Sequence, residues 1–438
     1  MKNRKEKLRI YIEEERERLV EGLKEREVGL KLETELINDI IGPRRSGKTS
    51  LMRLEIQRLL RSVERERIIY LNFESRRILP LTPEYFNDII EIIYETGALK
   101  LGKVYLFLDE VQRIDGWERY VRSIYDEFKG RIKIFISGSS SKLTKSKLSH
   151  LLSGRHLTTT VFPLNFREYL NFNDVDFEGP FTEERESLIK KHLKDYLTYG
   201  GFPEVVLTKN EELIETLFID IINRDILPHV RNREILEDVA YFLCTNASKL
   251  TSFSKLTKLL KSRGVKISVP TLEKYFTLMK DSFLFFDSKI FSYKVKDQLQ
   301  HPRKIYCVDT GFINYFGFKF SEDAGRLMEN LIGMELFKTS YNRPKFKVFY
   351  FKDLHGKEVD FVLKEGGKVK GLIQVCYDIY DSETKKREIK ALIKAGEELR
   401  CRNLSVITWE DEGEEMVNGK VIRFIPLWKW LIREAPHF

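Results

Sequence analysis

At 438 residues, with 42% hydrophobic and 33% charged side chains, the chain is too long for one compact core and reads as two or three globular domains. No apolar run approaches the roughly 18 residues that cross a bilayer, and the opening MKNRKEKLRIYIEEERERL is too charged for a secretory leader. A net charge of +9 permits nucleic-acid contact without demanding it. Scattered cysteines (Cys244, Cys307, Cys376, Cys401) with no CxxC pair argue against a disulfide framework or a zinc site and for a reducing cytoplasm. Abundant charge with few Cys, Met and Gln hints at a thermophilic source.

In chain order, residues 1–34 read as one long charged helix marked by Leu8, Tyr11, Ile12, Leu19 and Leu23. From 35 to 165 apolar runs alternate with helical text: 36–41, IIYLNFE (68–74), VYLFLDE (104–110), IKIFISG (132–138) and TTTVFPL (158–164). Continuous apolar strands between helices predict an α/β unit with a parallel sheet covered on both faces. Residues 166–235 are helical text broken at YGGFP (199–203), a candidate lid. Within 236–308, three helices precede the apolar strand text FLFFDSKIF, and the third opens at Val269-Pro270, where proline suits a first turn. That order is the order of a winged helix. Residues 309–438 read as a second α/β domain, with a helix at 326–340 and strands at 346–351, 358–363, 370–376 and 404–408.

Gly42-Pro43-Arg44-Arg45-Ser46-Gly47-Lys48-Thr49 matches GxxxxGK[ST] at every position, after a strand and before a helix that takes in Ser50. Glycines let the backbone wrap a phosphate, so that successive N–H groups and the following helix N-terminus face it. Lys48 neutralises the β- and γ-oxygens and the Thr49 hydroxyl ligates magnesium. Asp109 and Glu110 end VYLFLDE, at the tip of a buried parallel strand where ligands bind. Asp109 is the expected magnesium ligand, and Glu110 the carboxylate that polarises the attacking water. Ser139, closing the fourth strand in SGSSSKL, is a candidate γ-phosphate sensor. Arg155, in LSGRH, is a candidate arginine finger, acting in cis or from a second copy; Arg44 and Arg45 could touch phosphate.

The set GPRRSGKTS, FLDEVQRIDGWE, SGSSSKL, LSGRH, FPLNFREYL and YGGFPEV, in that order, resembles the prokaryotic, archaeal-type AAA ATPases that carry a C-terminal domain of their own. The resemblance spans nearly the whole chain. It implies ATP as the nucleotide, an AAA-type P-loop core, a winged-helix middle and a restriction-endonuclease-like C-terminal domain. A nuclease of that kind needs one acid on a strand and an acidic-x-Lys on the next, holding magnesium beside the lysine. Asp360 in HGKEVDFVL supplies the first acid and Glu329 could join it, but Gln374 stands at the second acid and Cys376 at the lysine. The nuclease-like site therefore reads as degenerate. In the middle segment Ser268, Thr271, Lys274 and Tyr275, with Lys255, Lys258, Lys261, Arg263 and Lys266, could meet DNA phosphates; a solvated helix face explains the same charges. The expected function is an ATPase whose cycle acts on DNA. The alternatives are a switch that assembles with itself or a protein partner, and an ATP-regulated nuclease. No membrane is expected as partner.

Overall fold

The computed structural model of the chain describes residues 4–18, 22–138, 150–317, 320–379 and 382–434. Contacts divide it into two units, 1–162 and 163–438.

In the first unit, strands β1 (Ile37–Ile41), β2 (Ile68–Asn72), β3 (Val104–Asp109), β4 (Ile132–Ser137) and β5 (His156–Thr160) form one sheet in the order β2-β3-β4-β1-β5. Every pairing in it is parallel. Near-continuous burial of β1 to β4 is what a sheet covered on both faces requires. Polar residues inside it are satisfied individually. Asn38 accepts from Lys31 N at 2.6 Å and donates to Thr159 Oγ1 at 3.0 Å. Lys133 donates to the carbonyls of Thr34 and Leu36, both at 2.6 Å, and burial brings its ammonium down to about 8. Asp39 meets His156 across β1 and β5 at 2.7 Å.

The N-terminus corrects the single helix expected over 1–34. The helix is Arg4–Glu17, Leu19 lies outside the described residues, and no helix forms over 22–36. Gly22 takes φ 74°, after which Val28, Leu30 and Leu32 reach the core beneath Ile40, Leu51 and Tyr70. Their spacing of two fits an extended chain and not a helix. Arg16 fixes the helix to β2 by donating to the Ile68 carbonyl at 2.9 Å.

The second unit begins with helices Phe166–Phe172, Glu183–Tyr199, Pro203–Thr208 and Glu212–Ile221, the expected lid segment. The YGGFP turn is fixed by a fully enclosed Asp309, which accepts from Gly201 N at 2.8 Å and Gly311 N at 2.9 Å. A Cβ on Gly201 would lie 2.4 Å from the Leu164 carbonyl oxygen, so only glycine allows this approach.

From 233 the order is helix (Arg233–Thr245), β6 (Leu250–Thr251), helices Phe253–Ser262 and Val269–Asp281, then β7 (Phe285–Ile290) and β8 (Arg303–Cys307). Helix Phe320–Asn342 leads to β9 (Phe346–Lys352), β10 (Glu358–Glu365), β11 (Lys368–Val375), helix Ser382–Glu398, β12 (Leu404–Thr408), β13 (Gly413–Val417) and β14 (Lys420–Pro426). All nine strands share one mixed sheet, ordered β13-β14-β12-β11-β10-β9-β7-β8-β6. Parallel pairing of β7 with β9, Lys289 to Phe349 and Ile290 to Tyr350, carries the sheet across residue 308. Sequence alone marked a boundary there, because segments distant in sequence pair only in the fold.

Candidate nucleotide site and a buried carboxylate cluster

Residues 42–50 leave the C-terminal end of β1 and enter helix Lys48–Leu59. Gly42 (φ 150°) could carry no side chain, since a Cβ would sit 2.0 Å from the Val161 carbonyl oxygen. Gly47 is left-handed at φ 97°, and Arg45 at φ 57° adds a strained turn. Pro43 is buried, Arg44 half-buried, and Arg45 and Ser50 are exposed. The enclosed Ser46 hydroxyl has no hydrogen-bond partner, an orphan polar atom inside a loop shaped to wrap an anion. Lys48 Nζ donates to the Gly42 carbonyl at 3.0 Å and to the Pro43 carbonyl at 2.8 Å.

Asp109, fully buried at the tip of β3, accepts from Thr49 Oγ1 at 2.7 Å and from Tyr70 OH at 2.9 Å through one oxygen. Its other oxygen accepts from Ser137 Oγ, which in turn accepts from Glu110 N at 3.2 Å. Glu110 sits in left-handed backbone at φ 56°, a cost of roughly 1–3 kcal/mol that concentrates at working sites. Burial raises its carboxyl, with Lys48 opposing and Asp109 adding to the rise; Gln112 Nε2 holds it at 2.5 Å.

Lys48, Thr49, Asp109 and Glu110 thus lie together, while Ser139 lies outside the described residues. The cis form of the arginine finger is corrected. The Arg155 carbonyl accepts from Ile37 N at 2.9 Å, at the N-terminal end of β1, roughly 16 Å of strand away from the loop. Its guanidinium instead pairs with Asp126 at 2.8 Å.

Two residues here escaped the sequence reading, while Ser137 stood in the SGSSSKL run from which Ser139 was singled out. Tyr70 looked like one more apolar strand position. Arg26, hidden in the supposed helix, donates to the Ser46 carbonyl at 3.0 Å and the Phe162 carbonyl at 2.9 Å.

In the second unit Glu329 and Asp360 do meet, around a residue the sequence did not mark. Lys304 Nζ on β8 lies 2.9 Å from Glu329, 2.7 Å from Glu358 and 2.7 Å from Asp360. Burial opposes the Lys304 charge, but Asp360 and Glu329 hold its pKa above the usual value. Tyr306 OH also donates to Glu329, at 3.0 Å. Gln374 accepts weakly from Asp360 N at 3.3 Å and turns its amide to Glu388 at 2.8 Å. Cys376 donates to the Asp378 carbonyl at 3.1 Å, its thiol pushed up to about 11 by burial.

On the middle helices, Lys255, Lys258, Lys261, Arg263, Lys266 and Lys274 are all exposed. Among the described residues none of their side chains forms an ion pair. Tyr275 is corrected as a phosphate contact, since it is buried with Leu272 and Phe276. Ser268 and Thr271 pair with each other at 2.8 Å at the helix cap.

The glycine loop, the hydroxyl-bound acid and the strand order define a P-loop nucleotide-binding protein of the AAA class, and the family described as "AAA domain" matches residues 35–170. More particularly, the chain belongs to the family of the uncharacterized protein MJ1544 of Methanocaldococcus jannaschii: it is 32% identical over 420 residues, 92% of this chain and 90% of that protein. An uncharacterized protein of Haemophilus influenzae is 31% identical over 355 residues, covering 79% of this chain and 84% of that one. Residues 190–323 and 324–430 match two domains of unknown function, DUF8612 and DUF4143. Among solved structures, the Walker-type ATPase PABY2304 of Pyrococcus abyssi is similar at 15% identity and TM-score 0.40, over 64% of this chain and 90% of that one. The ORC1 protein of Aeropyrum pernix, solved in complex with DNA, is similar at 14% identity and TM-score 0.26, over 74% and 93%. Among the described residues no helix is long and apolar enough to cross a membrane.

Proposed function

We propose that the chain binds and hydrolyses ATP with magnesium and couples that cycle to DNA. The observation that carries the ATPase reading is Asp109, a buried carboxylate held by the Thr49, Tyr70 and Ser137 hydroxyls beside an orphan Ser46. Three neutral donors orient the carboxylate without cancelling its charge, so the set fits a divalent ion. Thr49 and Asp109 would hold magnesium, which when bound draws charge from the phosphate oxygens. The loop N–H groups and Lys48 bind phosphate, and Glu110, its carboxyl raised by burial, takes the proton of the attacking water.

Coupling to DNA is supported by the exposed cations Lys255, Lys258, Lys261, Arg263, Lys266 and Lys274, on and between helices Phe253–Ser262 and Val269–Asp281, which form no ion pair among the described residues. An unpaired face is one that phosphates can neutralise.

The test is steady-state ATP hydrolysis with and without single-stranded, duplex and branched DNA. Stimulation that declines steeply with salt is expected. Turnover indifferent to every DNA would sink the coupling. A self-assembling switch is the second reading, favoured by Arg155: placed at the far end of β1, it can serve as a finger only for another copy. ATP-dependent growth in particle size without DNA binding would move that reading to first place.

A further inference from the structure

We propose that the Lys304 ammonium permanently takes the place of a divalent ion in the second unit, so that the point where its carboxylates converge is filled from within and binds no metal. The proposal rests on the nuclease-like reading only for which ion would be expected there; the geometry is the cluster's own.

An ammonium has three N–H donors. Lys304 has three carboxylate partners, at 2.7, 2.7 and 2.9 Å. They come from helix Phe320–Asn342 (Glu329) and from β10 (Glu358 and Asp360), with the lysine itself on β8. Acids from two elements thus converge on one point, and the nitrogen is at that point.

A magnesium ion needs oxygens at about 2.0–2.1 Å in octahedral array, and one shared by Glu329 and Asp360 would overlap the nitrogen. Two further oxygens it would draw on are engaged. Asp360 Oδ2 accepts from Val375 N at 2.9 Å, and Gln374 faces Asp360 N and Glu388. Among the described residues no group of three or more His, Cys, Asp and Glu is arranged to hold a metal ion. Nor can the lysine easily withdraw, because its side chain is 3% exposed, and leaving would strand buried carboxylates without a counter-charge.

A nuclease lysine shares its site with a metal and a water; Lys304 fills the site instead. With Cys376 at the lysine position of β11 and Gln374 at the acid, the metal-binding residue types are replaced on one strand while an ammonium arrives from another. The unit then has the framework to bind DNA or protein and no centre with which to cut.

The experiment is manganese titration of the full chain without nucleotide, bound ion being read as lost electron paramagnetic resonance signal. Wild type and Asp360→Asn should be indistinguishable, which also subtracts any ion held by the P-loop. Lys304→Met should gain one manganese site at least tenfold tighter than any in the wild type, and Lys304→Met with Asp360→Asn should lose it again. A wild-type site removed by Asp360→Asn overturns the proposal, as does metal-dependent DNA nicking with the same dependence. A folded Lys304→Met that gains no site also counts against it. Should that variant not fold, the wild-type comparison decides alone. DNA affinity is read separately, so failure of the DNA coupling leaves the manganese result standing.

Discussion

Asp109 and Asp360 are both acids on a strand, both buried, and both satisfied by several donors, yet their surroundings have opposite consequences. Asp109 is held by three hydroxyls; its oxygens are oriented and its charge is still there to be met. Asp360 is held by an ammonium and a backbone amide, with two more carboxylates drawn onto the same nitrogen. Counting acids identifies neither kind of site. What separates them is whether the partners are neutral, leaving the cation's place open, or include an ammonium that already fills it.

The largest expected effects test the open site. Lys48→Ala should abolish nucleotide binding or turnover, measured by ATP affinity and phosphate release. Glu110→Gln should retain binding while hydrolysis falls about 10²–10⁴-fold, the usual range for losing a general base. Hydrolysis at the parent rate in that variant would remove Glu110 from the mechanism. At the closed site the effect should appear as stability. Lys304→Met should destabilise the second unit by about 3–5 kcal/mol, because the carboxylates it leaves are buried and unpaired. Neutralising them as well (Glu329→Gln, Asp360→Asn) should recover part of that loss in thermal melts. Equal losses in the single and the combined variants would mean the lysine acts by packing alone.

Why one site was legible in sequence and the other was not follows from how each is written. The P-loop is local: residues 42–50 hold both the glycines and their reason, and a run such as VYLFLDE shows its acid at the strand's end. Four strands of the first sheet were visible as apolar runs for the same reason, and TTTVFPL overlapped only the end of β5. Lys304 looks like any charge in HPRKIYCVD, and only pairing with distant β10 reveals what it neutralises. Arg26 was hidden because charge periodicity does not distinguish a solvated helix from an extended strap whose guanidinium caps carbonyls. The joining of β7 to β9 was invisible because register between remote strands is set by the packed sheet.

Asp309 supplies an acid with no ion pair among the described residues, and so a control for both sites. Burial pushes its carboxyl up to about 6 from 3.8, with the Gly201 and Gly311 N–H groups and the charge of Lys338 partly offsetting the rise. A raised folded value means that the folded state holds the proton more tightly than the unfolded chain. Its contribution is therefore fully present below about pH 4 and is lost as pH rises through 6, a change of about 3 kcal/mol at most. Urea titrations of the wild type minus Asp309→Asn should show stability falling over that window and flat above it. A difference curve with no slope between pH 4 and 6 would mean the carboxyl is not as isolated as its surroundings suggest.

The smallest effect sharpens the comparison most. Tyr70→Phe removes one of the three hydroxyls on Asp109 while keeping the ring beneath Arg53, whose guanidinium lies 4.7 Å from its centre. One hydrogen bond to a charged group is worth about 1.5–3 kcal/mol, so the variant should still fold and bind nucleotide. If the hydroxyls only orient the carboxylate, the magnesium concentration giving half-maximal ATP hydrolysis should shift by no more than about tenfold, the factor that the lower of those energies allows. A much larger shift would mean that Tyr70 does more than orient, and that a neutral donor can govern cation affinity nearly as strongly as the ammonium at Asp360 does.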